Sequence, residues 1–421
     1  MPLRRRPLIA IAVFVLLAVV VAGGQWYERQ RGRLLPALPP VVAKATEVHV
    51  SNGADRGPGS LREALFIVAA ANGPAHVIFD VNEVRLETAL PALVNGHGLR
   101  LSGAGAGTAI EARALESGPV LDVSGPDTVL EGLHISGCPG AGVLVRSVRF
   151  RLAASSVDGC EVGVEIAGNA SDVLIENSHF GNNGIAVRFG AAGRNSAVAG
   201  NEFRQDRDAA IWAVRSAPDG HDAQLSVHDN KFIGESTGIV AGNIPVLIEQ
   251  NEFINAREAD VHVVGAGATV RQNHINGGAS MGIVAENARN AVIDTNELEG
   301  LTAYGVLVRG SFNTLVRNNR LHNCGYGLAF VLGDARAVST ASDNTIIEPK
   351  YNGIDVIGDS PILRHNNVLR AHAYALHIED FEPPGGRRVP AQPFLDNNNF
   401  GNSPIHRAGA AEAAPVSTPV R

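Results

Sequence analysis

A chain of 421 residues with 45% hydrophobic but only 5% aromatic residues and 47 glycines is too apolar to be disordered and too rich in glycine for a helical solenoid. The formal charge is −7, lysine occurs only at Lys44, Lys231 and Lys350, and no basic run lies beyond the first residues. This balance excludes a nucleic-acid partner and a strongly basic groove for polyuronates.

In chain order, "MPLRRRPLIAIAVFVLLAVVVAGG" joins three arginines to a long apolar run and small residues. Residues 1–26 therefore read as a signal peptide or a signal anchor, and the length of the apolar run favours the anchor, with the body outside the cytoplasm. Residues 27–44, with "LPALPP", read as a linker. Residues 45–126 read as an N-terminal cap and irregular first rungs. Within them, Ser60 and Glu63 form a capping box, and Leu61, Leu65, Val68 and Ala69 share one face of a short helix that plugs an open end.

From about residue 127 the chain repeats. "AVAGNEF", "SVHDNKF", "LIEQNEF", "TVRQNHI", "VIDTNEL", "LVRNNRL", "ASDNTII", "LRHNNVL" and "FLDNNNF" place an amide at Asn201, Asn230, Asn251, Asn273, Asn296, Asn319, Asn344, Asn367 and Asn398. The period is about 22 residues, the signature of a repeat architecture. Between the amides lie apolar alternations such as "GVLV" and "GIDV", with anchors Val143, Val164, Ile185, Ile211, Ile239, Val261, Ile283, Val306, Leu328, Ile354 and Leu376. Two short strands per unit suit the rungs of an all-β right-handed parallel β-helix over residues 127–403, followed by a disordered tail, 404–421.

An Asn at one turn of every rung can bond to the turn backbone and to the next Asn, so these amides are expected to form a ladder. The residues after them, Glu202, Lys231, Glu252, His274, Glu297 and Arg320, alternate in sign, as a solvated face of stacked rungs requires. Cys138 and Cys160 stand one rung apart. They can stack as thiols or pair as a disulfide; buried thiols are the favoured reading, with Cys324 in the equivalent place later on.

On these repeats the chain resembles the right-handed parallel β-helix superfamily, the pectin-lyase-like fold, over roughly residues 46–400. Within it, the chain is similar to repeat proteins related to carbohydrate-processing enzymes and to copper-site maturation proteins. "SNGADRGPGSLREAL" looks like the entry segment of many bacterial surface and secreted β-helices. The resemblance implies polysaccharide as the partner, and it leaves catalysis open, because this fold hosts many functions.

Chemistry in a solenoid belongs to rungs that break the period. One is "RQDRDAAIWAVRSAPDGHDAQ", whose Asp219, His221 and Asp222 are similar to the Asp-Pro-His-Asp motif of mannuronan C5-epimerases. Gly220 stands in place of the proline, and the next rung lacks that family's His and Arg. Trp212 on the same rung is a candidate sugar contact. The other is the late region, where Asp355 and His377 fall one rung apart on the outward side of the Gly-anchored strand. Lys350 joins them as a candidate acid–base group, and Tyr351, Glu379 and Asp380 as candidate substrate contacts.

"NGHG" around His97 reads as a turn. No metal or other cofactor is expected; acids interleaved with arginine argue against a calcium cluster, and calcium is left open. The functional expectation is an extracytoplasmic, monomeric polysaccharide-binding protein, with lyase, epimerase or hydrolase chemistry left open. A non-catalytic surface scaffold and a periplasmic metal-site maturation accessory are the alternatives.

Overall fold

In the computed structural model, residue 36 and residues 45–408 are described, apart from 169, 191–194, 216–223, 279–280, 334–336, 385 and the side chain of 266. The chain is an all-β right-handed parallel β-helix of about 12 turns. Sheet I runs from Thr46–Val50 to Phe394–Asp396, sheet II from Glu83–Arg85 to Asn367–Leu369, and sheet III from Leu121–Val123 to Ile405–Ala408. Each regular rung gives each sheet one short strand, whose alternate residues face the core.

Inside sheet I, Leu152, Ile175, Val198, Val227, Ile248, Val270, Ile293 and Val316 succeed one another in register, all essentially without solvent exposure. Inside sheet II the column turns aromatic. Phe180, Phe203, Phe232 and Phe253 stack with ring centroids 5.1, 4.9 and 4.6 Å apart, near the strand spacing of a sheet.

The amide ladder forms between sheets I and II. Asn251 Oδ1 accepts from Asn230 N and Nδ2, each at 3.0 Å. Its own Nδ2 donates to Asn273 Oδ1 at 3.0 Å, Val227 O at 2.9 Å and Glu249 O at 3.0 Å. Serines at 155 and 178 lead into the column, passing it to Asn201.

One assignment is corrected. Asn366, and not Asn367, carries the ladder, taking Asn344 Nδ2 at 2.9 Å and giving its own Nδ2 to Asn398 Oδ1 at 2.9 Å. The residue before each ladder amide lies in the left-handed region, as in Gly200 (φ 65), Gln250 (φ 54), Asp343 (φ 56) and His365 (φ 53). That conformation turns the following side chain into the stack. His365 therefore fixes Asn366 as the inward amide, and Asn367 opens the next strand beside Thr345.

A second register correction falls on sheet III. Val187, not Ile185, stacks between Val164 and Ile211, since Ile185 pairs with Ala209 at the start of the strand. The alternating surface charges do pair: Lys231 with Glu252 at 3.0 Å, His274 with Glu297 at 3.7 Å, and Arg317 with Asp294 at 2.9 Å.

Helix Leu61–Ala69 closes the N-terminal end, with Ser60 Oγ accepting from Glu63 N at 3.3 Å and Glu63 Oε2 from Gly59 N at 2.6 Å. Leu61, Leu65 and Val68 are buried as expected. Ala64, not Ala69, completes the face, because it lies three residues from Leu61 and four from Val68 on the helical surface.

At the other end the stack outlasts residue 403. Ile405–Ala408 is a strand paired with Leu376–Glu379, so a disordered tail from 404 is corrected for residues 404–408. The expected leader, residues 1–26, lies outside the described residues, as does the linker save residue 36. No helix among the described residues is long and apolar enough to cross a membrane.

Cys138 and Cys160 are bonded to each other, with Cα atoms 4.4 Å apart, whereas Cys324 is buried and free. This corrects the expectation of stacked thiols: neighbouring rungs bring the two Cα atoms within disulfide reach. Alkylation of the denatured chain should therefore label one thiol before reduction and three after it. Three labels before reduction would contradict the bond.

Candidate functional site

The outward column of sheet III runs in register through Trp212, Val240, His262, Val284, Leu307, Ala329, Asp355, His377 and His406. These side chains point away from the core. Yet Val284 is 5% exposed, Ala329 0% and Asp355 3%. An outward residue can lose its solvent only where flanking side chains rise beside it, so this strip is the floor of a shallow groove. Met281, Tyr304 and Val331 pack against its apolar part.

Tyrosines rise beside the floor. Tyr304, Tyr326 and Tyr351 occupy the same place on successive rungs and stack at centroid distances of 4.7 and 4.9 Å. Burial, with the Asp355 carboxyl nearby, raises the hydroxyl pKa of both Tyr304 and Tyr326. Tyr351 ends the stack and is exposed. On the following rung Ala373 N bonds to Tyr351 O, and among the described residues Tyr351 stacks on Tyr326 alone, which leaves its other face without an aromatic neighbour.

Where the apolar floor ends, Asp355 pairs with His377 as the repeat spacing predicts. His377 Nδ1 lies 3.2 Å from Asp355 Oδ1, and Asn352 Nδ2 donates to the same oxygen at 2.7 Å. Burial pushes the Asp355 carboxyl up, while Asn352 and His377 pull it back. The other imidazole nitrogen, Nε2, lies 4.0 Å from Glu379 Oε2. The His377 ring also stacks on His406 at 5.2 Å, and Tyr374 stacks on His406 at 4.5 Å. A buried carboxylate fixing one nitrogen of a partly exposed imidazole is the arrangement of a proton-transfer group and its positioning residue.

The remaining candidates separate. Lys350 acts on the buried Cys324 thiol, which burial pushes up to about 11, and it is not among the groups holding Asp355. Asp380 accepts from Ala391 N at 2.8 Å and pairs with Arg388, so it fastens the 381–391 segment. Trp212 is exposed and lies six strand-to-strand steps from Asp355, about 29 Å at about 4.8 Å per strand; it shares the column but not the site. Asp219, His221 and Asp222 lie outside the described residues.

Tyr304, Tyr326, Asn352, Tyr374 and His406 were not singled out in the sequence. The recurring "AYG", "GYG" and "KYNG" held the signal for the tyrosines, one or two residues before the glycine that opens the strand. Among the described residues, no group of three or more His, Cys, Asp or Glu side chains is arranged to hold a metal ion.

Residues 218–369 match the family model described as right handed beta helix region. Among solved structures, the A-module of the mannuronan C-5 epimerase AlgE4 of Azotobacter vinelandii is similar at 14% identity and a TM-score of 0.54, over 86% of this chain and 100% of that one. The surface adhesin PfbA of Streptococcus pneumoniae is similar at 14% identity and a TM-score of 0.56, over 82% and 94%. The catalytic unit of an alpha-1,3-glucanase of Streptomyces thermodiastaticus gives 14% identity and 0.52, over 87% and 71%. At such identities the likeness is one of fold. No curated protein matches the sequence significantly.

Proposed function

We propose that the groove on sheet III binds a polysaccharide and that His377, positioned by Asp355, transfers a proton on the bound chain. The observation that carries this reading is the buried Asp355–His377 pair at the end of an outward, solvent-poor strip walled by stacked tyrosines. Tyr351 offers a free ring face for stacking a sugar, and its neighbours offer hydroxyls for hydrogen bonds. The named ionisable groups facing this end are Asp355, Glu379, His377 and His406, and with two carboxyls among them neutral chains suit it better than polyuronates, whose carboxylates would meet like charge. The similar solved structures include carbohydrate-acting proteins, in keeping with this reading. An extracytoplasmic location accords with the Cys138–Cys160 bond, since disulfides persist in oxidising compartments, and the apolar leader would provide the membrane attachment.

A glycan array, with reducing-end and unsaturated-uronate assays on the full chain, tests the reading. His377→Ala should lower turnover about 10²- to 10⁴-fold, and Tyr351→Ala should weaken binding about tenfold while leaving the fold intact. Glycan binding by the intact chain that both substitutions leave unchanged would place the site elsewhere. A second reading, a non-catalytic scaffold, is favoured by the pairing of the same face with itself upstream, where Arg188 meets Glu165 at 2.9 Å and His262 meets Glu286 at 3.2 Å. Silence on every glycan would select it.

A further inference from the structure

Between sheets II and III a second polar column runs through the turns, and here carboxylic acids stand where the other column has amides. Asn183 N and Nδ2 donate to Asp206 Oδ1 at 2.9 and 3.0 Å, and Asp206 N donates to Glu235 Oε2 at 2.8 Å. This repeats the Asn-to-Asn pattern bond for bond, except that a carboxylate has no hydrogen to pass on. Both side chains are sealed, at 0% and 1% exposure. Among the described residues Asp206 Oδ2 and Glu235 Oε1 find no hydrogen-bond donor outside the pair, while the two carboxyls act on each other through a side-chain hydrogen bond. Two ionised carboxylates stacked one rung apart in a dry core would be costly, since burial and like charge both oppose ionisation.

We propose that Asp206 and Glu235 are a proton-loaded extension of the ladder, in which bound protons do what amide hydrogens do elsewhere, so that this part of the stack is tight in mild acid and loosens in alkali. Burial pushes Asp206 up to about 7, and burial together with the Asp206 charge pushes Glu235 up to about 9. Other charges face the pair as follows. Asp158, on the rung before Asn183, adds negative charge near Asp206 and is itself beside His134 and His179. From the rung after Glu235, the Arg257 guanidinium reaches only the Asp206 carbonyl, at 3.3 Å. Asp260, buried alone in the core, has its own carboxyl raised by burial and titrates independently.

The sign follows from linkage. Both folded values lie above the ordinary carboxyl values of 3.8 and 4.5, so the folded chain binds more protons than the unfolded chain. The stability contributed is complete below the unfolded values and is lost as pH rises through about 7 and then about 9.

The experiment is equilibrium unfolding of the full chain at several pH values from 5 to 9, for the native protein, Glu235→Gln and Asp206→Asn. An uncharged amide supplies the missing hydrogens without a proton. The unfolding constant of the native chain should rise with pH about tenfold per unit more steeply than that of Glu235→Gln, and Asp206→Asn should flatten the slope as well. The protection of the Asn183 and Asp206 amide hydrogens, taken relative to the base-catalysed exchange of an unstructured chain, should fall in alkali in the native chain and hold in Glu235→Gln. Slopes for both variants parallel to the native slope, or a loss of protection in alkali unchanged by Glu235→Gln, would overturn the proposal.

Discussion

Asn251→Ala is expected to destabilise the chain by about 3–5 kcal/mol, because it strips the stack of one amide and strands the hydrogens above it. The Asn230 N–H and one Asn230 Nδ2 hydrogen both end on Asn251 Oδ1, and the Val227 and Glu249 carbonyls both take Asn251 Nδ2. All of this is sealed, with Asn251 itself 2% exposed. Asn251→Ser should cost less, since Ser178 already shows a hydroxyl accepting from the rung before it through Ser155 N at 3.2 Å. Chemical denaturation of the two variants checks the order. Equal costs for Ala and Ser would mean that the acceptor on residue 251 is not what holds the rungs.

Phe232→Ala is expected to cost a similar amount, about 3–5 kcal/mol, through the cavity it opens. Phe232 is clamped between Phe203 and Phe253 at 4.9 and 4.6 Å with planes within 7°, and rungs constrained by neighbours above and below cannot collapse sideways into the gap. Phe232→Leu should recover about half. Because each rung touches only its neighbours, amide exchange should quicken in strands Glu202–Arg204, Lys231–Ile233 and Glu252–Ile254 before the rest of the stack. A uniform acceleration along the whole chain would contradict that picture.

The fold was legible because it is written many times over: period, ladder and charge alternation repeat, and an error in one unit is corrected by the next. The register errors fell where the repeat gives two equivalent choices. "HNN" offers adjacent amides at 366 and 367, and only the left-handed His365 selects the first. "GIAV" anchors on Ile185 by analogy, although its strand is set by Val187.

The site was half legible for a related reason. Asp355 and His377 were found by counting rungs, which the stack preserves. That Asp355 is covered and Trp212 is remote depends on side chains rising from the neighbouring turns, and on how many rungs intervene. The acid column escaped notice because nothing local in the sequence marks the carboxylates of Asp206 and Glu235 as sealed.

The two ends of the stack are unlike. The first rung is closed by helix Leu61–Ala69, whereas among the described residues Phe394–Asp396 and Ile405–Ala408 each have a strand neighbour on one side only, with Phe394 and Ile405 exposed. Disassembly by heat or protease thus has a direction: strands peel from the late end, where leaving breaks one ladder instead of two. The Asp355–His377 pair, only a rung or two from that end, is then among the first features to be lost, while most of the coil still stands.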